Sequence, residues 1–295
     1  MGAVRTRVAR GLVATLLAAT AAVAAVPTPA SAAVPGLVYV RAITSFDSNV
    51  YKSVRLFCPP GTVVIGGSFD LQGAEGAIVL DDFIPSPTDL LVGAGEIVGP
   101  GEPSDGTPAS WQVVALAVCA SPPPGYSIVT QTSDFSRAAD RTVGALCPPG
   151  TRRLGAGASL SNGWGQVSIS ELWMNNGANG QTAVVARSDA DGYSGSWSVT
   201  AYAICADPLP GWIVTVANSA TDSQSHKSEA TGCLSGQAVI GAAWRVNDSN
   251  HDGVDWYVTG AVLSAAPDPS VTTTAFATGI GDAWTLSSRA VCVDQ

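Results

Sequence analysis

Cys58-Pro59-Pro60-Gly61 followed by Trp111 to Cys119, Cys147-Pro148-Pro149-Gly150 followed by Trp197 to Cys205, and Cys233-Leu234-Ser235-Gly236 followed by Trp284 to Cys292 are one motif written three times. Each closes on Trp-x-[Val/Leu]-x-x-x-Ala-x-Cys, and successive Trp residues lie 86 and 87 positions apart. Self-similarity at a fixed period marks a repeat or pseudosymmetric fold. It divides the chain into residues 34–120, 121–206 and 207–295, preceded by residues 1–32.

The local pattern within a repeat is that of strands. Each repeat opens on an alternating apolar segment: Leu37 to Thr44, Tyr126 to Thr132 and Trp212 to Asn218. The Pro-Gly pair after the first Cys suits a type II turn, because Pro presets φ at the first central position and Gly supplies φ > 0 at the second. The third repeat loses both prolines and keeps Gly236, as that requirement predicts. The next segment, Val63 to Ser68, with counterparts Arg153 to Ala158 and Ala238 to Ala243, carries internal Gly, which signals a bulge or a close backbone approach. The last segment alternates strictly, so that Trp197, Val199, Ala201, Ala203 and Cys205 share one face, the core face. Pro and Gly are dense and no segment has a helical period, so the fold is expected to be all-β. About six strands per repeat fit a pseudo-threefold, β-prism-like body of three sheets. The alternative is three small β-sandwich beads. The short joins, 121–125 and 207–211, favour the former.

All six Cys lie in the repeats, two in each, at separations of 61, 58 and 59 residues. An even count without any close Cys pair reads as a disulfide framework rather than a zinc site. The repeat pattern pairs Cys58 with Cys119, Cys147 with Cys205 and Cys233 with Cys292. Residues 1–32 read as a secretory signal peptide: Arg5, Arg7 and Arg10 precede the apolar run 11–26, and Ala30-Ser31-Ala32 supplies the cleavage signal. The expected localisation is therefore secreted. The chain carries 14 Lys+Arg against 23 Asp+Glu, a net charge of −9. Such a balance disfavours nucleic acid and anionic membrane surfaces, and no apolar run after the leader is long enough to span a bilayer.

The unit S…[K/R]-[S/T]-x4-C-P-x-G-x3-[IVL]-G-[GA]…W-x-[VL]-x3-A-x-C resembles a group of secreted actinobacterial repeat proteins over nearly all of residues 34–295. The three-sheet arrangement is also similar to that of the vitelline membrane outer layer proteins, whose repeats are shorter. Neither resemblance implies a catalytic residue.

Residues common to all copies serve the fold, and the unshared ones are where function is sought. Trp111, Trp197 and Trp284 are core by this test. Lys52, Arg141 and Lys227 also recur, each followed by Ser or Thr, and read as edge-strand charges or repeated ion pairs rather than Ser-Lys dyads, since neighbours in a strand face opposite ways. Among unshared Trp residues, Trp173 and Trp244 read as core filling. Trp164, between Gly163 and Gly165, and Trp256 with Tyr257 are the binding candidates, offering aromatic faces to a sugar. Asp248, Asn250, Asp252 and Asp255 place oxygen ligands at calcium-loop spacing around Gly253, but position 12 is Thr259, so a polar turn competes with Ca²⁺. No cofactor is required. His251 with a carboxylate could serve as a general base but has no identifiable nucleophile to activate, and His226 reads as a residue of an exposed edge. Asp81, Asp82, Glu171 and Asp255 are the carboxylates from which a glycosidase pair would be drawn. The leading expectation is non-catalytic binding of an extracellular polysaccharide or cell surface. The alternatives are a hydrolase with its site in the third repeat and a structural component of the cell exterior.

Overall fold

The Cys-Pro-Pro-Gly segment folds as its residues demand. The Thr62 amide donates to the Pro59 carbonyl at 3.0 Å, and Gly61 takes φ +83°. Thr151 and Pro148 repeat the turn, as do Gln237 and Leu234, with Gly150 and Gly236 at φ +88° and +82°. A computed structural model describes residues 34–98, 107–174, 181–190, 192–248, 255–265, 267–278 and 283–295. The strands among them are β1 (Val38–Ile43), β2 (Tyr51–Phe57), β3 (Val63–Gly73), β4 (Ile78–Pro85), β5 (Asp89–Glu96), β6 (Trp111–Ala120), β7 (Ser127–Thr132), β8 (Asp140–Leu146), β9 (Arg152–Ser161), β10 (Val167–Met174), β11 (Gln181–Ser188), β12 (Ser198–Ala206), β13 (Ile213–Asn218), β14 (His226–Gly232), β15 (Gln237–Asp248), β16 (Asp255–Ser264), β17 (Ser270–Thr278) and β18 (Trp284–Asp294). None of the described residues is helical, so the fold is all-β.

The strands form three antiparallel six-stranded sheets, and no sheet belongs to one repeat. The orders are β2-β5-β4-β9-β12-β7, β13-β18-β15-β10-β11-β8 and β1-β6-β3-β16-β17-β14. Each repeat gives three strands to one sheet and three to the next. We call these the 1–2, 2–3 and 3–1 sheets after the repeats that share them. A repeat cannot fold as a bead when half of its strands complete a neighbour's sheet, so the body is the three-sheeted one.

The internal glycines explain how the repeats meet. Bulges fall between Val64 and Gly66, in β9 opposite Ile204 and Cys205, and between Val239 and Gly241. They bring Gly66, Gly155 and Gly241 against one another's backbone in cyclic order. A Cβ on Gly155 would lie 2.7 Å from the Ile65 carbonyl oxygen, one on Gly241 would lie 2.8 Å from that of Leu154, and one on Gly66 would overlap that of Ile240. Only Gly allows backbones this close. Ile65, Leu154 and Ile240 are fully buried beside them, within a core cluster drawn from all three repeats.

All three disulfides form as the repeat pattern predicts: Cys58–Cys119, Cys147–Cys205 and Cys233–Cys292. Each joins the residue just after an edge strand of one sheet to the C-terminal end of the last strand of its repeat in another, so every staple ties two sheets together. Closing loops of this size stabilises by about 4 kcal/mol each in the chain-entropy model.

The repeated cations are part of the same scaffold. Lys52 pairs with Asp47 and lies 4.9 Å from the Trp111 ring centroid. Lys227 meets Asp222 at 2.8 Å and stands 4.7 Å from the Trp284 ring, with a further bond to the Trp284 carbonyl at 2.6 Å. In the second repeat Arg141 stands 5.2 Å over Trp197 and donates to Ser136. The lysines are buried yet hydrogen-bonded and cation–π paired, which is how a buried charge is tolerated. Trp111, Trp197 and Trp284 are themselves fully buried, as the comparison of copies predicts.

Candidate functional site

Where two repeats share a sheet, the fourth strand of a repeat carries a bulge: between Leu80 and Asp82 in β4, Ile169 and Glu171 in β10, and Val258 and Gly260 in β16. Strand pairing therefore makes Asp81, Ser170 and Thr259 equivalent, and likewise Asp82, Glu171 and Gly260. From the fifth strands, Gly95, Arg187 and Phe276 correspond. From the second strands, Tyr51, Asp140 and His226 correspond. From the third strands, Ser159, Arg245 and Asp70 correspond. One backbone arrangement thus carries three different chemistries.

In the 2–3 sheet the row closes on itself. Glu171 is buried and takes Arg245 Nε at 3.1 Å and Arg187 NH2 at 3.6 Å, while Arg187 also reaches Asp140 at 3.6 Å. The Arg245 guanidinium stands 5.6 Å from the Trp173 ring centroid. In the 3–1 sheet the row is mostly neutral at the bulge, with Thr259 donating to Thr274 at 3.1 Å. A cleft of about 380 Å³ there is lined by Asp70, Glu75, His226 and Thr274 among others. His226 Nε2 meets Glu75 at 3.1 Å on the exposed edge strand β14.

In the 1–2 sheet both arginine positions are small, Gly95 and Ser159, and the bulge carries two acids. The Tyr51 hydroxyl donates to Asp82 Oδ2 at 3.2 Å, crossing Gly93, where a Cβ would stand 3.2 Å from the Asp82 Cβ. Two residues further along the same face, Trp164 covers Gly95: a Cβ on Gly95 would lie 2.6 Å from the indole Nε1. Trp164 reaches there from the β9–β10 turn, in which Asn162, Gly163 and Gly165 take φ +65°, +80° and +71°. The turn is tied down by the Gln166 amide on Gly163 at 2.9 Å and the Val98 amide on Gly165 at 3.1 Å. The indole remains 41% exposed and Tyr51 38%.

Among the described residues neither Asp81 nor Asp82 forms an ion pair. Burial raises the Asp81 carboxyl to about 7, and the neighbouring Asp82 charge adds to the rise. Burial also raises Asp82, against the lowering effect of the Tyr51 hydroxyl. Burial and both acids hold the Tyr51 phenol above its ordinary range.

The structure thus brings together Trp164, Asp81 and Asp82, which the sequence reading treated separately. Tyr51, Gly93 and Gly95 were missed, and the signal for them is that Gly93 and Gly95 are glycine in the first repeat alone. Two binding candidates are corrected. Trp256 and Tyr257 lie on β16 at 4% exposure each, and a ring without an exposed face has no surface to offer a ligand. Trp256 occupies the position of Ile78 and Val167, both buried. Trp244 is fully buried as expected, whereas Trp173 is only partly buried beneath Arg245. The carboxylates do not converge: Glu171 belongs to the 2–3 sheet and Asp255 to the 3–1 sheet, where its amide donates to the Thr278 hydroxyl oxygen at 3.3 Å. Of the calcium-loop residues, Asn250 and Asp252 lie outside the described residues, as does His251. Asp248 ends β15 and Asp255 begins β16. Among the described residues no three His, Cys, Asp or Glu side chains gather as a metal site. No helix of the described residues is long and apolar enough to cross a membrane. Comparison with protein-family models finds no matching family, and comparison with curated proteins finds no matching relative.

Proposed function

We propose that this is a secreted, disulfide-stapled β-repeat protein that binds a glycan on the outer face of the 1–2 sheet without transforming it. The observation that carries this reading is the half-exposed Trp164, fixed in a tied turn over Gly95 on the face that also presents Tyr51, Asp81 and Asp82. Sugar rings stack their apolar faces on aromatic rings, while carboxylates accept their hydroxyls. An exposed indole contributes little to the core, which favours a contact role. Secretion agrees with the three disulfides, which persist in oxidising compartments, and with the basic and apolar pattern of residues 1–32. The resemblance to secreted actinobacterial repeat proteins points the same way.

Asp81 and Asp82 differ in environment, as an acid and its partner do in glycosidases. They are, however, consecutive on one strand instead of flanking a scissile bond from two sides. Binding is therefore the better reading. Trp164→Ala is expected to leave the melting temperature nearly unchanged and to weaken retention on the polysaccharide bound by the parent protein by about 1–3 kcal/mol. A large fall in stability, or unaltered retention, would remove Trp164 from the site.

A further inference from the structure

The 1–2 and 2–3 sheets hold a shared-sheet acid at the same backbone position, Asp82 in one and Glu171 in the other. Glu171 is answered from within the chain by Arg245 at 3.1 Å and Arg187 at 3.6 Å, and Arg245 in turn stacks near Trp173. Acid, cation and indole form one unit there. At the corresponding places the 1–2 sheet has Ser159 and Gly95, and it adds a second acid and a half-exposed indole. The acid is present without its cations, and the indole comes from a different place: Trp164 covers Gly95, the position of Arg187, while the position of Trp173 holds Ile84. The segments beyond residue 33 that the structure leaves undescribed contain no Lys or Arg that would supply a cation.

Resting on the glycan reading above, we propose that this face selects glycans bearing a protonated amine, the sugar ammonium seating against Asp82 and Asp81 while a ring face lies on Trp164. Three considerations favour a sugar amine over other cations. The site lies on β4, β5 and β9 in the interior of the sheet, where the backbone is already paired on both sides. A peptide that docks by adding a strand needs a free sheet edge. The aromatic surface of Trp164 and the Tyr51 hydroxyl beside it suit a ring with its own hydroxyls. A neutral glycan would leave two adjacent, partly buried acids without a counter-charge. The ammonium charge would offset the desolvation and mutual repulsion that hold Asp81 near 7, so binding would release a proton from that pair.

The test is calorimetric titration of the full protein with a glucosamine oligomer, its N-acetylated counterpart and a glucose oligomer, at about pH 6, where an amine is protonated. The glucosamine oligomer is expected to bind at least about 10-fold more tightly than either comparator, with a preference that shrinks as salt is added. Asp81→Asn with Asp82→Asn should abolish the preference and retain the residual binding. Ser159→Arg, which places in this sheet the cation of Arg245, should do the same by occupying the site. If all three oligomers bind equally and Trp164→Ala weakens each, the amine inference fails and the glycan reading stands. If none binds, or Trp164→Ala changes nothing, both fail. A lysine oligopeptide binding as tightly as the glucosamine oligomer would assign the face to a basic protein segment and overturn the proposal. Should either variant fold poorly, the salt dependence of the parent protein decides: a preference indifferent to salt overturns it.

Discussion

The 1–2 and 2–3 sheets have the same strand order, register and bulge, yet opposite outer faces. In the 2–3 sheet Glu171 lies between Arg187 and Arg245, and Asp140 extends the network at its edge. In the 1–2 sheet the same four places hold Asp82, Gly95, Ser159 and Tyr51, so the acid meets a phenol and no cation, and the indole of Trp164 covers Gly95. Pseudosymmetry fixes the backbone and leaves these side chains free to differ. A row that satisfies its own charges is part of the scaffold. A row that leaves acids and an indole facing outward is suited to a partner.

The contrast breaks most visibly at Glu171. Glu171→Gln would remove the carboxylate shared by two guanidinium groups, one of them on a largely buried arginine, and should cost about 2–4 kcal/mol in denaturant unfolding. A loss below about 0.5 kcal/mol would show that the network contributes nothing to the fold.

At Asp81 the expected effect has the opposite sign. Its folded-state value near 7 stands above the ordinary unfolded value of about 3.9. The fold therefore gains from Asp81 below about pH 4 and loses that gain as pH rises towards 7. Asp81→Asn should stabilise the protein by about 1–2 kcal/mol at about pH 8 and flatten its stability between about pH 4 and 7. Melting curves of the two proteins across that range check it, and parallel curves would place Asp81 in ordinary solvent.

The smallest effect is expected at Asp82. Asp82→Asn keeps an acceptor for the Tyr51 hydroxyl, has no ion pair to break and removes a partly buried charge, so at about pH 8 stability should rise by less than for Asp81→Asn, by no more than about 0.5 kcal/mol. A loss comparable with that of Glu171→Gln would mean that the two rows are equally structural.

Much of the scaffold was legible before the structure. The disulfide pairs, the Gly61 turn and the buried Trp triad follow from comparing copies, because residues repeated in all three answer to demands repeated in all three. The glycines of the third strands signalled a close approach, but not that Gly66, Gly155 and Gly241 meet one another. That contact depends on the exchange of half-sheets, and strand periodicity says which face a residue takes without saying which strand lies beside it. Trp256 and Tyr257 were misread for a related reason. They were judged as unshared aromatics, although Trp256 fills a position that is apolar and buried in every copy. The site itself joins Tyr51 and Gly95 of the first repeat with Trp164 of the second, residues more than sixty positions apart that no local motif connects.

On the proposed reading, ligand engages the 1–2 sheet and leaves the 2–3 sheet untouched. Amide chemical-shift mapping during titration with the glucosamine oligomer tests it directly. Perturbations at Asp82, Gly93, Gly95 and Ser159, with the amides of Glu171, Arg187 and Arg245 unmoved, are the predicted result. Perturbations centred on the 2–3 or 3–1 sheet, or none under saturating ligand, would contradict it.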